Sequence, residues 1–252
     1  MALYDVVNGV YRKVTKKYDP VDGVYRNVKA EYDPVDGVYR QYFDYITGTI
    51  VTANTLSVGD TVLLNVNGVP TKFLVVHQGR PSTSYHSSCN GTWLMWKDGY
   101  VDNSFVFMDN RDIESYLKPD LQNLLNGAFD ADISSNIKSV RIPFYHGYFD
   151  NDYLTVKFFL LSAVEVGFSY QSGLPTGDGD CLSYFNGATN EKRIIPEGQW
   201  LLRTADSRDA YRMWFVGSDG APLSYDPSMD NSVIIRPAFI LNNTTQVLKI
   251  EE

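Results

Sequence analysis

Residues 61–76 read TVLLNVNGVPTKFLVV, and this stretch decides how the chain folds. Two apolar runs, TVLLNV and TKFLVV, flank Asn67-Gly68. Asn and Gly both tolerate positive φ, so the pair suits the two-residue turn whose twist matches that of paired strands. The stretch therefore predicts a β-hairpin.

Outward from the hairpin the same vocabulary continues. GTWLMWKDGYV (91–101), TVKFFLLSAVEVGF (155–168), RIIPEGQWLLRT (193–204), YRMWFVGSDGAPLSY (211–225) and SVIIRPAFIL (232–241) are rich in β-branched and aromatic residues. They read as strands, with Ser218-Asp219-Gly220 turning the chain. SFVFMD (104–109) reads as a strand or loop. Helical spacing appears in one region. Asp109 and Asn110 offer N-caps for a helix carrying Ile113, Tyr116 and Leu117, which Pro119 should end or restart. Leu121, Leu124 and Leu125 continue a second helix to Gly127. A third should start near Asp130 or Asp132, with Ile133, Ile137 and Val140 on one face. Strands with a few helices predict an α+β domain.

The N-terminus is different. YDVVNGVYRKVTKK from Tyr4, YDPVDGVYRNVKAE from Tyr18 and YDPVDGVYRQYF from Tyr32 are near-copies of one unit. Each predicts one short strand plus one turn, giving a small meander or β-spiral, or else a ribbon lying on the head. Units this short cannot bury a face alone, so a symmetric oligomer, with a trimer favoured, would supply the missing surface. The chain thus divides into an anchoring and oligomerisation segment, 1–45, and a ligand-binding head, 46–252.

Charge narrows the partners. The chain of 252 residues carries a formal charge of -8. Within residues 1–45, seven Lys and Arg face seven Asp and Glu, so the excess negative charge sits on the head. Duplex nucleic acid, bound by cationic side chains, is not an expected partner. Neither an apolar run of membrane length nor a basic segment leading into an apolar one is present, so neither membrane insertion nor a signal peptide is expected.

Catalytic and metal signatures are sparse. His77, His86 and His146 have no zinc-ligand spacing, and Cys89 and Cys181 lie far apart and are expected to be free buried thiols, with a disulfide between them as the alternative. Gly-Asp-Gly-Asp at 177–180 places two carboxylates on a turn but lacks the further ligands of an EF-hand loop. The expectation is no cofactor, no metal and no enzymatic activity.

Several stretches occur in a familiar order: VGDTVLLNVNGVPTKFLVVHQGRPS, CNGTWLMWKD, IESYL, IKSVRIPF, FFLLSAVEVG, LSYF and WLLRTADSRDAYRMWFVGSDGAPLSYDPSMDNSVIIRPAFIL. In that order the chain resembles phage and gut-bacterial proteins with a C-type-lectin-like fold, of the type diversified by retroelements and akin to the phage major tropism determinant. The YDPVDGVYR units resemble N-terminal repeats of phage structural proteins. The resemblance implies a virion protein of the tail-fibre, receptor-binding type, on the tail or capsid surface, with a host cell-surface protein or glycan and other virion proteins as partners. A virion decoration or assembly protein is the alternative. It also implies that the ligand-facing surface lies between the WLLR and RPAF strands. There Asp206, Ser207, Arg208, Asp209, Tyr211, Arg212, Trp214, Ser218, Asp219, Ser224, Tyr225, Asp226, Asp230 and Asn231 combine aromatic anchors with short polar groups, as paratopes do. Tyr211, Trp214 and Tyr225 are the expected projecting anchors. Ala221, Pro222 and Pro227 depart from the composition that retroelement mutagenesis favours. Formylglycine-generating enzymes share the implied fold, but they need a pair of active-site cysteines on copper, and the sequence contexts of Cys89 and Cys181 read as core strands.

Overall fold

A computed structural model describes residues 4–7, 10–13, 18–21, 24–27, 32–35, 38–41, 48–102, 112–145, 152–169, 172–175, 177–209, 211–227 and 233–251. Each repeat is a complete antiparallel hairpin rather than one strand: β1 (Tyr4–Val7) with β2 (Val10–Lys13), β3 (Tyr18–Val21) with β4 (Val24–Asn27), and β5 (Tyr32–Val35) with β6 (Val38–Gln41). Pairing runs up to Val7↔Val10, Val21↔Val24 and Val35↔Val38, leaving only Asn8-Gly9, Asp22-Gly23 and Asp36-Gly37 between strands. Those dipeptides are the two-residue hairpin signal, so reading Asp-Pro-Val-Asp-Gly as one turn missed the strand within it. Tyr11, Tyr25 and Tyr39 hold the same register position, opposite Val6, Pro20 and Pro34.

The head begins with β7 (Gly48–Thr52), then β8 (Thr61–Val66) and β9 (Val69–Gly79). β8 and β9 form the expected hairpin, with Asn67 and Gly68 at φ of 51° and 79°. β10 (Gly91–Trp96) and β11 (Tyr100–Asp102) follow. After them come α1 (Asp112–Ser115), a π-helical turn (Tyr116–Asp120), α2 (Leu121–Leu125) and α3 (Ala131–Ser134). The remaining strands are β12 (Val140–Phe144), β13 (Asp152–Val156), β14 (Phe158–Phe159), β15 (Trp200–Ala205), β16 (Met213–Val216), β17 (Pro222–Tyr225), β18 (Val233–Ile235), β19 (Ala238–Leu241) and β20 (Gln246–Ile250).

The described chain is mainly β, which corrects the expected α+β, C-type-lectin-like head. Its α-helices are four or five residues long. Pro119 neither ends nor restarts a helix; it sits in the π turn, whose wider loop accommodates a residue that has no N–H and clashes with the preceding turn. The third helix stops after one turn, because Ile137 bridges to Leu241 and Val140 opens β12. Their apolar spacing served a sheet. The expected caps Asp109 and Asn110, and the stretch SFVFMD, lie outside the described residues.

Two larger sheets make the head, ordered β14-β19-β10-β9-β8-β20-β7 and β11-β18-β15-β16-β17. One antiparallel ribbon belongs to both. β10 pairs with β19 in the first sheet, and their continuations β11 and β18 pair in the second. The stretch SVIIRPAFIL is therefore two strands in two sheets, and the switch falls at Arg236-Pro237. Arg236 donates to the carbonyls of Trp96 (2.9 Å) and Lys97 (2.6 Å), Trp96 N–H donates to Pro237 O, and the guanidinium lies 4.8 Å from the Trp200 ring centroid. Trp200, Leu202, Ile235, Pro237 and Phe239 are all buried, as expected of a core. Phe239 packs against Phe73, Phe129 and Phe158 at centroid distances of 5.3, 5.2 and 5.9 Å.

Candidate functional surface

The expected ligand surface grows out of β15, whose six residues are all buried. The strand carries one charge, Arg203, and the fold spends considerable polar structure on it. Arg203 donates to both Glu165 carboxylate oxygens (2.5 and 2.8 Å) and to the carbonyls of Leu160 (2.8 Å), Pro143 (3.2 Å) and Asp178 (3.3 Å). Its Nε faces Asp178 Oδ1 at 3.6 Å. Tyr85 Oη donates to Glu165 at 2.7 Å, and Thr204 donates to Asp178. Burial drives the Tyr85 phenol well above its usual range, with the Glu165 charge adding to the effect. Burial also pushes Asp178 up to about 6, against the pull of Arg203 and Thr204. For Arg203, burial acts to lower the pKa, but Glu165 and Asp178 outweigh it and raise it. All the charged members are fully buried, so the network holds five segments together and presents no binding surface. Sequence reasoning passed it over. The available signal was a lone Arg within WLLRT and a lone Glu within SAVEVG.

β15 hands this order on to the turn after it. Asp206 is buried and accepts from Arg208 N (3.0 Å), Arg208 Nε (2.9 Å), Arg208 Nη2 (2.5 Å) and Ser224 Oγ (2.6 Å). Burial acts to raise its carboxyl, but the bonds from Arg208 and Ser224 outweigh that and hold it below the usual range. Gly173 forms the floor. A Cβ there would lie 2.2 Å from Arg208 Nε and 2.3 Å from Asp206 Oδ1, at a φ of 92° that already favours glycine. Ser207 N–H donates to Gly173 O at 3.0 Å. Arg212 donates to Ser224 O, tying the turn to β17.

On this base the expected residues separate. Ser207, Arg208, Asp209, Tyr211, Ser218 and Asp219 are exposed, and Arg212, Ser224, Tyr225 and Asp226 are half-buried. Tyr211 is 55% exposed, and its N–H is held by Asp209 Oδ1 at 3.0 Å. Trp214 does not project. It is 4% exposed in β16, and its Nε1 donates to Gly173 O at 3.3 Å. Tyr225 stacks on Phe215 at 4.2 Å and accepts from Gln199 at 2.7 Å. The physical reason is pairing: the tract forms the ribbon β16–β17, whose inner strand is wholly buried, so its aromatics divide between core and rim. Asp230 and Asn231 lie outside the described residues.

The other candidates serve the scaffold. Cys89 is a buried free thiol pushed up to about 11 by burial, in a 3-10 turn rather than a strand. Cys181 is an exposed free thiol in a loop, against the expectation of burial. Nδ1 of His77 and of His86 accepts from a backbone N–H, Ser183 (3.3 Å) and Ser88 (3.2 Å), in each case beside the hydroxyl of the same serine. His146 lies outside the described residues. Of the Gly-Asp-Gly-Asp carboxylates, Asp178 belongs to the Arg203 network and Asp180 accepts from Ser82 and Ser84. Among the described residues no group of three His, Cys, Asp or Glu side chains stands together as a metal site, and no helix is long and apolar enough to cross a membrane.

Residues 90–243, more than half of the chain, match the family described as a domain of unknown function, DUF6273. The chain belongs to this family. The match opens at β10 and closes just after β19, two strands paired through Thr92↔Leu241, so it encloses the switching ribbon, the Arg203 network and the Asp206 turn. No curated protein and no solved structure matches the chain.

Proposed function

We propose that the chain is a phage virion protein of the tail-fibre, receptor-binding type. Its repeats attach it to other virion proteins, and its head holds a host cell-surface ligand on the surface around Tyr211. The observation that carries this reading is the pairing of an exposed aromatic with a buried, densely hydrogen-bonded base. Tyr211 stands on a turn whose root, Asp206, is buried and bonded on several sides. A turn whose backbone is already held in place loses little backbone freedom on binding, and Tyr offers large contact area at low entropic cost. Ser207, Asp209 and Ser218 stand in the same tract as adaptable polar contacts.

The test is adsorption of phage particles carrying Tyr211→Ala, read beside the melting temperature of the purified protein. An anchor of this kind typically carries about 2 kcal/mol, roughly a thirtyfold change in affinity. Lost adsorption with unchanged melting is the expected result; unchanged adsorption refutes the reading. A second reading, a virion decoration or assembly protein that binds no cell, is favoured by the inward packing of Trp214 and Tyr225, which shrinks the exposed aromatic area. Normal adsorption together with failed particle assembly in that variant would support it.

A further inference from the structure

The seven-stranded sheet carries an apolar row that its own core does not use. Ile50 of β7 pairs directly with Leu248 of β20, and Leu248 pairs with Leu63 of β8. Ile250 sits two residues along β20, opposite Gly48 and Thr61. Side chains alternate across a strand, and the intervening Val51, Val247 and Val62 are those that pack into the core. Leu63 and Ile250 are buried yet stand outside the core cluster, Leu248 is half-buried, and Ile50 is 51% exposed. The row ends at β7, which among the described residues pairs with β20 alone, at the outer edge of the sheet. All four residues lie outside the family-matched stretch 90–243.

We propose that this row and edge are the docking surface for the chain's own second repeat hairpin, β3–β4. The tether brings the repeats to this edge, and the approach of β4 to β7 selects the second hairpin. The third hairpin ends at Gln41, and six residues, 42–47, lead to Gly48 at the start of β7. Six residues reach at most about 20 Å, so the hairpins are held beside this edge at high local concentration. β4 runs within 8 Å of β7, Cα to Cα, at several positions. The two elements match in length, four residues against five. Equal numbers of acidic and basic residues in 1–45 also mean that the acidic head does not repel the segment. Docking by the second hairpin leaves the first, 14 residues further along the repeat, to face other molecules.

The experiment uses the full chain. Amide exchange of β3–β4 and tryptic cleavage after Lys17 and Lys29 are compared between the unsubstituted protein and Ile50→Lys, with a Thr49→Lys control. The expected result is measurable protection of the β3–β4 amides in the unsubstituted protein. In Ile50→Lys, exchange and cleavage should both be faster by about tenfold or more, since the susceptible population tracks the opening equilibrium. Thr49→Lys should behave as the unsubstituted protein. Unprotected β3–β4 amides at the outset, or equal rates in Ile50→Lys, overturn the proposal. If Ile50→Lys fails to fold, Ile50→Thr keeps the β-branched shape and decides by the same comparison. A drop in molecular mass on sedimentation without a change in hairpin exchange would assign the row to a second copy of the chain and overturn the proposal.

Discussion

Replacing Arg203 by Met tests whether the buried network, rather than apolar packing alone, holds the head together. Met fills much of the same volume without charge, so the loss is chiefly electrostatic. The substitution strands Glu165 and Asp178, both fully buried, and removes the donor that the carbonyls of Leu160 and Pro143 share. Breaking a buried pair from one side costs about 3–5 kcal/mol. Each orphaned carbonyl adds ~1–3 kcal/mol, while protonation of a stranded carboxyl returns part of the loss. At roughly 2–4 °C per kcal/mol for a domain of this size, melting should fall by about 6–20 °C. Calorimetry at pH 7 measures it. Replacing Glu165 and Asp178 by Leu in the same chain should recover much of the loss, because an apolar trio leaves nothing charged behind. A shift below about 2 °C for Arg203→Met alone would refute the reasoning, since it would mean that both carboxyls find water or partners without it.

Phe239→Ala should cost about 3–5 kcal/mol, because the ring is fully buried and touches three other rings, so little can collapse into the space. Denaturant unfolding checks this, and an unchanged midpoint would place the β19 register in error. Asp178 gives a pH prediction of definite sign. Its folded pKa, about 6, lies above the unbound value of 3.8, so the folded state binds its proton more tightly. Stability relative to Asp178→Asn should therefore fall as pH rises from 3.8 to about 6 and then level off. A difference curve that rises across that window would show the carboxyl to be depressed by Arg203 instead.

Much of the sheet content was legible because it is local. Asn67-Gly68 and Ser218-Asp219-Gly220 fix their turns by backbone chemistry alone, and both hairpins formed around them. The helices were legible in place, around Ile113, at Leu121–Leu125 and from Ala131, but the extent of the third was not, since helical spacing at Ile133, Ile137 and Val140 cannot reveal that Leu241 and β13 offer strand partners. A tertiary partner overrode a local period. The aromatic tract misled for a related reason. Composition identifies Tyr and Trp as large and amphipathic, but strand parity and sheet position decide whether they face core or solvent. Trp214 falls on the inner strand and Tyr211 on the turn before it. The Asp206 clamp could not be read at all, because its floor, Gly173, lies more than thirty residues upstream of it.

A single exposed aromatic among the described residues of the tract between β15 and β18 has a consequence for the proposed function. With Trp214 in the core and Tyr225 stacked on Phe215, the tract offers Tyr211 as its projecting anchor. At about 2 kcal/mol such an anchor, with a few polar contacts, makes a weak single-site binder. Linking heads changes the arithmetic, because a second head then binds at an effective concentration set by the mount and overall avidity can rise by about 10²–10⁴-fold. A mount that fixes spacing sets that effective concentration near its maximum when the spacing matches the ligand sites. Three hairpins in one register, joined to β7 by only six residues, are suited to that task, the more so if one of them packs on the head's outer edge. On this reading the weakness of the individual surface and the repetition of the N-terminal unit are parts of the same design: a head that binds lightly depends on a stem that sets many heads in register.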